Sequence, residues 1–170
     1  MKSVLISIQP KWVEKIASGK KTIEVRKSRP KLETPFKCYI YCTIGNGMKG
    51  DYFVPSNIQC GKVIGEFICD KIDEVYQCNS GWVKENGCIS QGEFFDYLGI
   101  PRGTHFGYDK KAYAWHISNL KIYDKPKELS EFSHYVLEYT VKDGSNYSSV
   151  IVNPLKRPPQ SWCKVESLGE

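Results

Sequence analysis

Gly19-Lys20-Lys21-Thr22-Ile23-Glu24-Val25-Arg26 is the stretch on which the reading of this chain turns. From Thr22 to Arg26 polar and apolar side chains alternate, the period of a half-buried β-strand. Ile23 and Val25 take one face. Thr22, Glu24 and Arg26 take the other, because residues two apart on a strand point the same way. Lys21 stands at the entry to the strand, within reach of its polar face. The product is a carboxylate between two cations, its negative charge stabilised from both sides. On an open surface such a ladder is worth only about 0–1 kcal/mol and does nothing further. In a cleft, the cations would hold a phosphate while Glu24 accepts a hydrogen bond from a hydroxyl or an exocyclic amine.

Working outward, Val4 to Ile8 reads as a strand, and Pro10 opens a helix at the position where proline is best tolerated. Trp12, Val13, Ile16 and Ala17 form its apolar stripe, and Gly19 stops it. Further strands are expected over 36–43, 61–70 and 112–123. A helix is expected over 90–98, with Ser90 and Glu93 spaced as a capping box and Gly99 and Pro101 ending it. The segments 44–60 and 76–89 read as loops. Two strands around Asp143-Gly144 read as a hairpin, and a last short strand is expected over 161–166. Many short strands with few helices point to an α+β, mainly β chain: a barrel with helices packed on it. Trp115 alternates inward with Tyr113 and Ile117 and reads as core. His116 then faces the other way, as a surface or hydrogen-bonded residue. Tyr39 and Tyr41 share a strand face and either line a cleft or cover the outside of the barrel.

The quoted stretch fits GxKxxExR, and in this it resembles the signature of ASCH domains, which are similar to the PUA fold. The order of strand, amphipathic helix and signature strand resembles theirs too, as do 61–70, Tyr113 to Ile117, and the tail Arg157-Pro158-Pro159-Gln160-Ser161-Trp162. The resemblance implies a single PUA-like domain over 1–170. The loops 44–60 and 76–111 would be insertions and the hairpin 133–156 an addition. It also implies RNA or a nucleotide as partner, bound without cofactor or metal in a cationic cleft lined by Lys21, Thr22, Glu24 and Arg26. Lys11 and Gln9 at a helix N-terminus add a phosphate site, and Arg157 a further contact. Trp162 reads first as core filling the barrel mouth. Its second reading is a platform for a base, with Ser161 and Gln160 at the base edge.

Two other functions stay open. Some ASCH-like proteins are amidohydrolases on acylated cytidine nucleosides, and ribonuclease activity also occurs in the family. In an enzyme of either kind Lys21 and Glu24 would be the catalytic pair. Lys21 matches the amidohydrolase lysine, but Glu24 stands where a threonine nucleophile is expected, and a carboxylate does not replace a hydroxyl acyl acceptor. A ribonuclease would use Glu24 and Lys21 at a 2′-hydroxyl, without an obvious histidine to assist. The third reading is a partner-binding regulator acting through the tyrosine-rich hairpin.

Bulk composition is compatible with all three. The net charge of +5 is uneven: residues 1–37 carry ten Lys/Arg and three acids. A patch of this sign favours an anionic partner. The run Arg26-Lys27-Ser28-Arg29-Pro30-Lys31 has no aromatic interleaving and reads as a solvated basic loop with nonspecific affinity for nucleic acid. The seven cysteines are scattered, with no CxxC pair, so neither a disulfide framework nor a zinc site is indicated. No stretch approaches the roughly 20 apolar residues of a membrane helix. The run at residues 4–8 is too short for an export signal, so a cytoplasmic location is expected.

Overall fold

The computed structural model describes residues 3–44, 58–76, 80–101, 110–142 and 145–168, with side chains left out for 135–152. Its strands are β1 (Ser3–Ile8), β2 (Ile23–Arg26), β3 (Phe36–Cys42), β4 (Val63–Cys69), β5 (Ile72–Tyr76), β6 (Lys111–His116), β7 (Ser118–Lys127), β8 (Ser133–Lys142), β9 (Ser145–Pro154) and β10 (Trp162–Val165). Its helices are α1 (Pro10–Ala17), α2 (Gly81–Asn86) and α3 (Gln91–Leu98), with a short 3-10 turn at Leu129–Glu131.

The chain is mainly β, as expected, but the barrel is not. Seven strands form one sheet in the order β7-β4-β3-β1-β10-β8-β9, and three form another in the order β2-β6-β5; neither closes. The stretch expected as one strand over 112–123 is two, and this is how both sheets arise. β6 pairs with β2 and β5, whereas β7 pairs with β4. The chain passes from one sheet to the other at Ile117, whose N–H bonds Thr22 O. Asn119, at φ 48°, takes the left-handed conformation that Asn tolerates better than most residues.

Strand parity explains the layers. β1 sends Val4, Ile6 and Ile8 to a core shared with Val13 and Ile16 of α1, Phe36, Phe67 and Trp115. Its other face sends Leu5 to a second cluster with Tyr39, Tyr41, Phe132 and Leu155. The small sheet is likewise two-sided. Ile23, Val25, Ala112, Ala114 and Val75 pack on Val83 of α2 and on Phe94 and Leu98 of α3. The opposite face carries Trp115 into the main core. Directly opposite residues of an antiparallel pair share a face, so Glu24, paired with Trp115, and Arg26, paired with Tyr113, belong to this inner face.

The segment 76–89, expected as a loop, contains the end of β5 and all of α2, and the Asp73-Glu74 pair in β5 had hidden its alternation. α3 is capped as expected: Ser90 and Glu93 close the capping box and Gly99 takes φ 65°. The hairpin is longer than its sequence signal, Ser133 pairing with Pro154 and Lys142 with Ser145. Most of the expected insertion 44–60 and residues 102–109 of the other lie outside the described residues.

Candidate functional site

Lys21, Glu24 and Arg26 of the GxKxxExR pattern meet at the floor of a cleft of about 1200 Å³. Gly19, at φ 72°, ends α1 in a conformation cheap only for glycine, and Lys21 then turns back under the helix. Lys21 Nζ lies 3.3 Å from Glu24 Oε2, and Arg26 Nη2 lies 3.0 Å from Glu24 Oε1. These are not surface pairs: side-chain exposure is 4% for Lys21, 7% for Glu24 and 11% for Arg26.

Both cations are also tied to backbone. Lys21 Nζ donates to Gly87 O at 2.7 Å, fixing the turn after α2. Arg26 Nη2 donates to Ser7 O at 2.6 Å, fixing the small sheet to the end of β1. The hydroxyl of Ser7 donates to Pro159 O at 2.6 Å and so brings the tail against the same point. Glu24 Oε2 and Arg26 Nε are buried and make no hydrogen bond, Oε2 being held by its ion pair with Lys21 Nζ.

Above this floor stand Gln9, Pro10 and Lys11 at the N-terminal end of α1, Tyr41, Tyr97, Lys27 and the tail residues Pro158 to Ser161. Four cations line the cleft among the described residues (Lys11, Lys21, Arg26 and Lys27) against one carboxylate, Glu24. Lys11, Lys15 and Lys21 also gather around Trp12, at 4.4, 4.9 and 5.1 Å from its ring centre. Burial raises the phenols of Tyr41 and Tyr97 above their ordinary value, so both keep their protons at neutral pH. Tyr97 Oη accepts the Lys27 N–H at 3.2 Å and retains its own hydrogen for a ligand.

Of the residues expected at the site, the cleft gathers Lys11, Lys21, Glu24, Arg26 and Ser161. It does not gather Thr22, whose exposed hydroxyl bonds Asn86 Oδ1 at 3.2 Å, because the strand begins one residue later. Arg157 is exposed and outside the lining. Trp162 lies behind the cleft, 6.1 Å from Trp115 between ring centres, and reaches it only by donating Nε1–H to Ser28 Oγ at 3.1 Å. Tyr97 is the residue that sequence reasoning misses, and Lys27, expected only as part of the solvated basic run, joins the cleft. Tyr97 comes from a helix seventy positions away, and nothing local marks it.

His116 Nε2 donates to Asp73 Oδ2, 2.8 Å away, and the ring stacks on Trp82 with ring centres 6.1 Å apart. Burial pushes the Cys42 thiol up to about 12, the nearby Cys60 adding to it, and burial does the same for Cys69. Neither is a thiolate nucleophile at neutral pH. Among the described residues no group of His, Cys, Asp or Glu is arranged to hold a metal ion, and no helix is long and apolar enough to cross a membrane.

An open pair of sheets with a buried ion triad at their junction defines a small, mainly β domain built around a cationic cleft. The chain belongs to the ASCH domain family, whose model matches residues 6–127. Its fold is similar to that of the ASCH protein of Zymomonas mobilis. The identity is 22% and the TM-score 0.58, over 95% of this chain and 85% of that one. A Ser-to-Ala variant of the same protein matches at 21% identity and TM-score 0.56, over 95% and 86% of the two chains. A Tyr-to-Phe variant matches at 23% and 0.53, over 76% and 77%. No curated protein matches in sequence.

Proposed function

We propose that this protein binds RNA or a nucleotide in the cleft above Lys21, Glu24 and Arg26. One observation carries the reading: four cations converge on a cleft whose floor is a buried ion triad. Buried charges are costly to assemble, and replacing them with apolar side chains is often neutral or stabilising. A triad kept at the floor of an open cleft therefore argues for a ligand. Lys11 and Lys27 supply phosphate contacts at the rim, beside the positive end of the α1 dipole. The protonated Tyr41 and Tyr97 supply donors for a polar edge. Family membership supports the same partner class. A PUA-like relationship belongs to this proposal, as do a single domain over 1–170 and a cytoplasmic location.

The test is equilibrium binding of ribonucleotides and short RNAs at two salt concentrations, with Lys11→Ala and Lys27→Ala and thermal melting as the fold control. Each loss should weaken binding and reduce the salt slope by about 0.7 for a single-stranded ligand. Wild-type protein that binds none of these ligands would remove the reading.

A hydrolytic version would use Glu24 as the base, and it requires the buried Oε2 to leave its pairing with Lys21 Nζ, 3.3 Å away. A base at that atom would take a proton from a 2′-hydroxyl. In that case Glu24→Asp retains affinity and loses turnover, measured on a labelled RNA.

A further inference from the structure

The loop after β2 contains no aromatic residue from Lys27 to Lys31, yet the fold brings tyrosines to it from two other elements. Lys27 Nζ stands 5.0 Å from the centre of the Tyr97 ring of α3. The Arg29 guanidinium stands 5.8 Å from the ring of Tyr113 on β6. Tyr113 is the direct cross-strand partner of Arg26, so this second pair adjoins the cleft. Both rings are half-buried, whereas Lys27, Arg29 and Lys31 are exposed. None of the three cations forms a salt bridge among the described residues. Lys111 also lies 5.5 Å from the Tyr113 ring, but Glu74 at 2.8 Å compensates its charge. Past Tyr113, Arg29 and Lys31 border a hollow of about 700 Å³ floored by Leu32 and Ile72, with Glu33 as its one carboxylate.

We propose that this row is a second contact surface, for single-stranded RNA leaving the cleft. The inference rests on the cleft reading and extends it from a nucleotide to a strand. A single strand offers a phosphate and an unstacked base at each step, and proteins bind it with alternating cations and flat faces. Guanidinium planes stack on bases as aromatic rings do. Arg29 and the half-buried Tyr113 ring, 5.8 Å apart, bring a guanidinium plane and an aromatic face together, with Lys27 before them and Lys31 after them for phosphates. Folding thus supplies the aromatic interleaving that the basic run lacks in sequence. An acidic peptide would use the cations and leave the stacked faces idle.

The experiment uses fluorescent oligouridylates of about 4 and about 12 nucleotides, lengths bracketing a single site and an extended one. It compares the full chain with Arg29→Glu/Lys31→Glu and with Tyr113→Leu, thermal melting serving as the fold control. Wild-type protein should bind the longer strand at least about tenfold more tightly, as one added stacked base with its phosphate would give. The double charge reversal should abolish that gain and leave the shorter strand unchanged. Tyr113→Leu should reduce the gain about fivefold at unchanged charge. An undiminished length gain in both variants overturns the second surface while leaving the cleft in place. A response to charge reversal without one to Tyr113→Leu overturns the platform and leaves bare electrostatics. An oligoglutamate that competes as well as the longer strand overturns RNA as the occupant. Failure of wild-type protein to bind either oligouridylate overturns the strand proposal, and failure to bind ribonucleotides as well overturns the cleft reading itself.

Discussion

Glu24 holds the site together. Its carboxylate is the single anion between two cations that are both bonded to backbone carbonyls. Neutralising it leaves two buried charges facing each other. Glu24→Gln should therefore lower unfolding free energy by roughly 3 kcal/mol, the lower end for breaking a buried pair from one side. Urea denaturation measures it, and a loss below about 1 kcal/mol would class the triad with surface pairs. Asp73 behaves differently because it is partly solvated. Burial opposes its ionisation, but hydrogen bonds from Lys71 and His116 outweigh burial and hold its carboxyl below the ordinary value. A depressed folded-state value adds stability that is complete above the ordinary carboxylate range and lost as pH falls through the depressed one. The stability gap between the wild type and Asp73→Asn should accordingly be present at neutral pH and close in acid. A gap that widens in acid would contradict the assignment.

At the scale of elements, α3 is the clearest local case. Ser90 Oγ accepts the Glu93 N–H at 3.2 Å, and Glu93 Oε2 accepts the Ser90 N–H at 3.0 Å. Ser90→Ala should cost about 1 kcal/mol, the usual worth of an N-cap. The helix packs on Val25 through Phe94 and Leu98 and presents Tyr97 to the cleft, so the same change should also weaken ligand binding modestly. Melting and binding measured together check both.

α1, β2 and α3 were legible because a period of 3.6 or 2, a cap and a stop agree within ten residues. The same parity placed Glu24 and Arg26 on one face. What parity leaves open is which face looks inward, since Trp115, ninety positions away, decides that. The expected barrel failed for a related reason. One alternating run, 112–123, serves two sheets, and its switch at Ile117 depends on partners that are distant in sequence. Thr22 was misplaced by one residue at a strand end, where a single step decides whether a hydroxyl faces the cleft or Asn86. Tyr97 and Tyr113 have no local signal, because α3 and β6 supply them to cations of β2 and its loop, whereas Tyr41 is legible from its own strand as a cleft-lining candidate.

For the whole molecule, the N-terminal excess of positive charge does not cover one uniform face. Lys37 pairs with Glu66, 3.2 Å away on the large sheet, as Lys11 does with Glu93 at 3.6 Å, and Arg157 is outside the cleft lining. The charge that remains concentrated is that of Lys11, Lys21, Arg26 and Lys27, where the ends of α1, β2 and the tail converge. A nucleic-acid ligand is proposed to sit at this convergence. Titrating isotope-labelled protein with a short oligouridylate and following backbone amide resonances tests it most directly. The predicted shifts cluster on Lys11, Lys21, Glu24, Arg26, Lys27, Tyr97 and Ser161 and saturate together. Saturable shifts confined to other surfaces, with these amides unmoved, would contradict it.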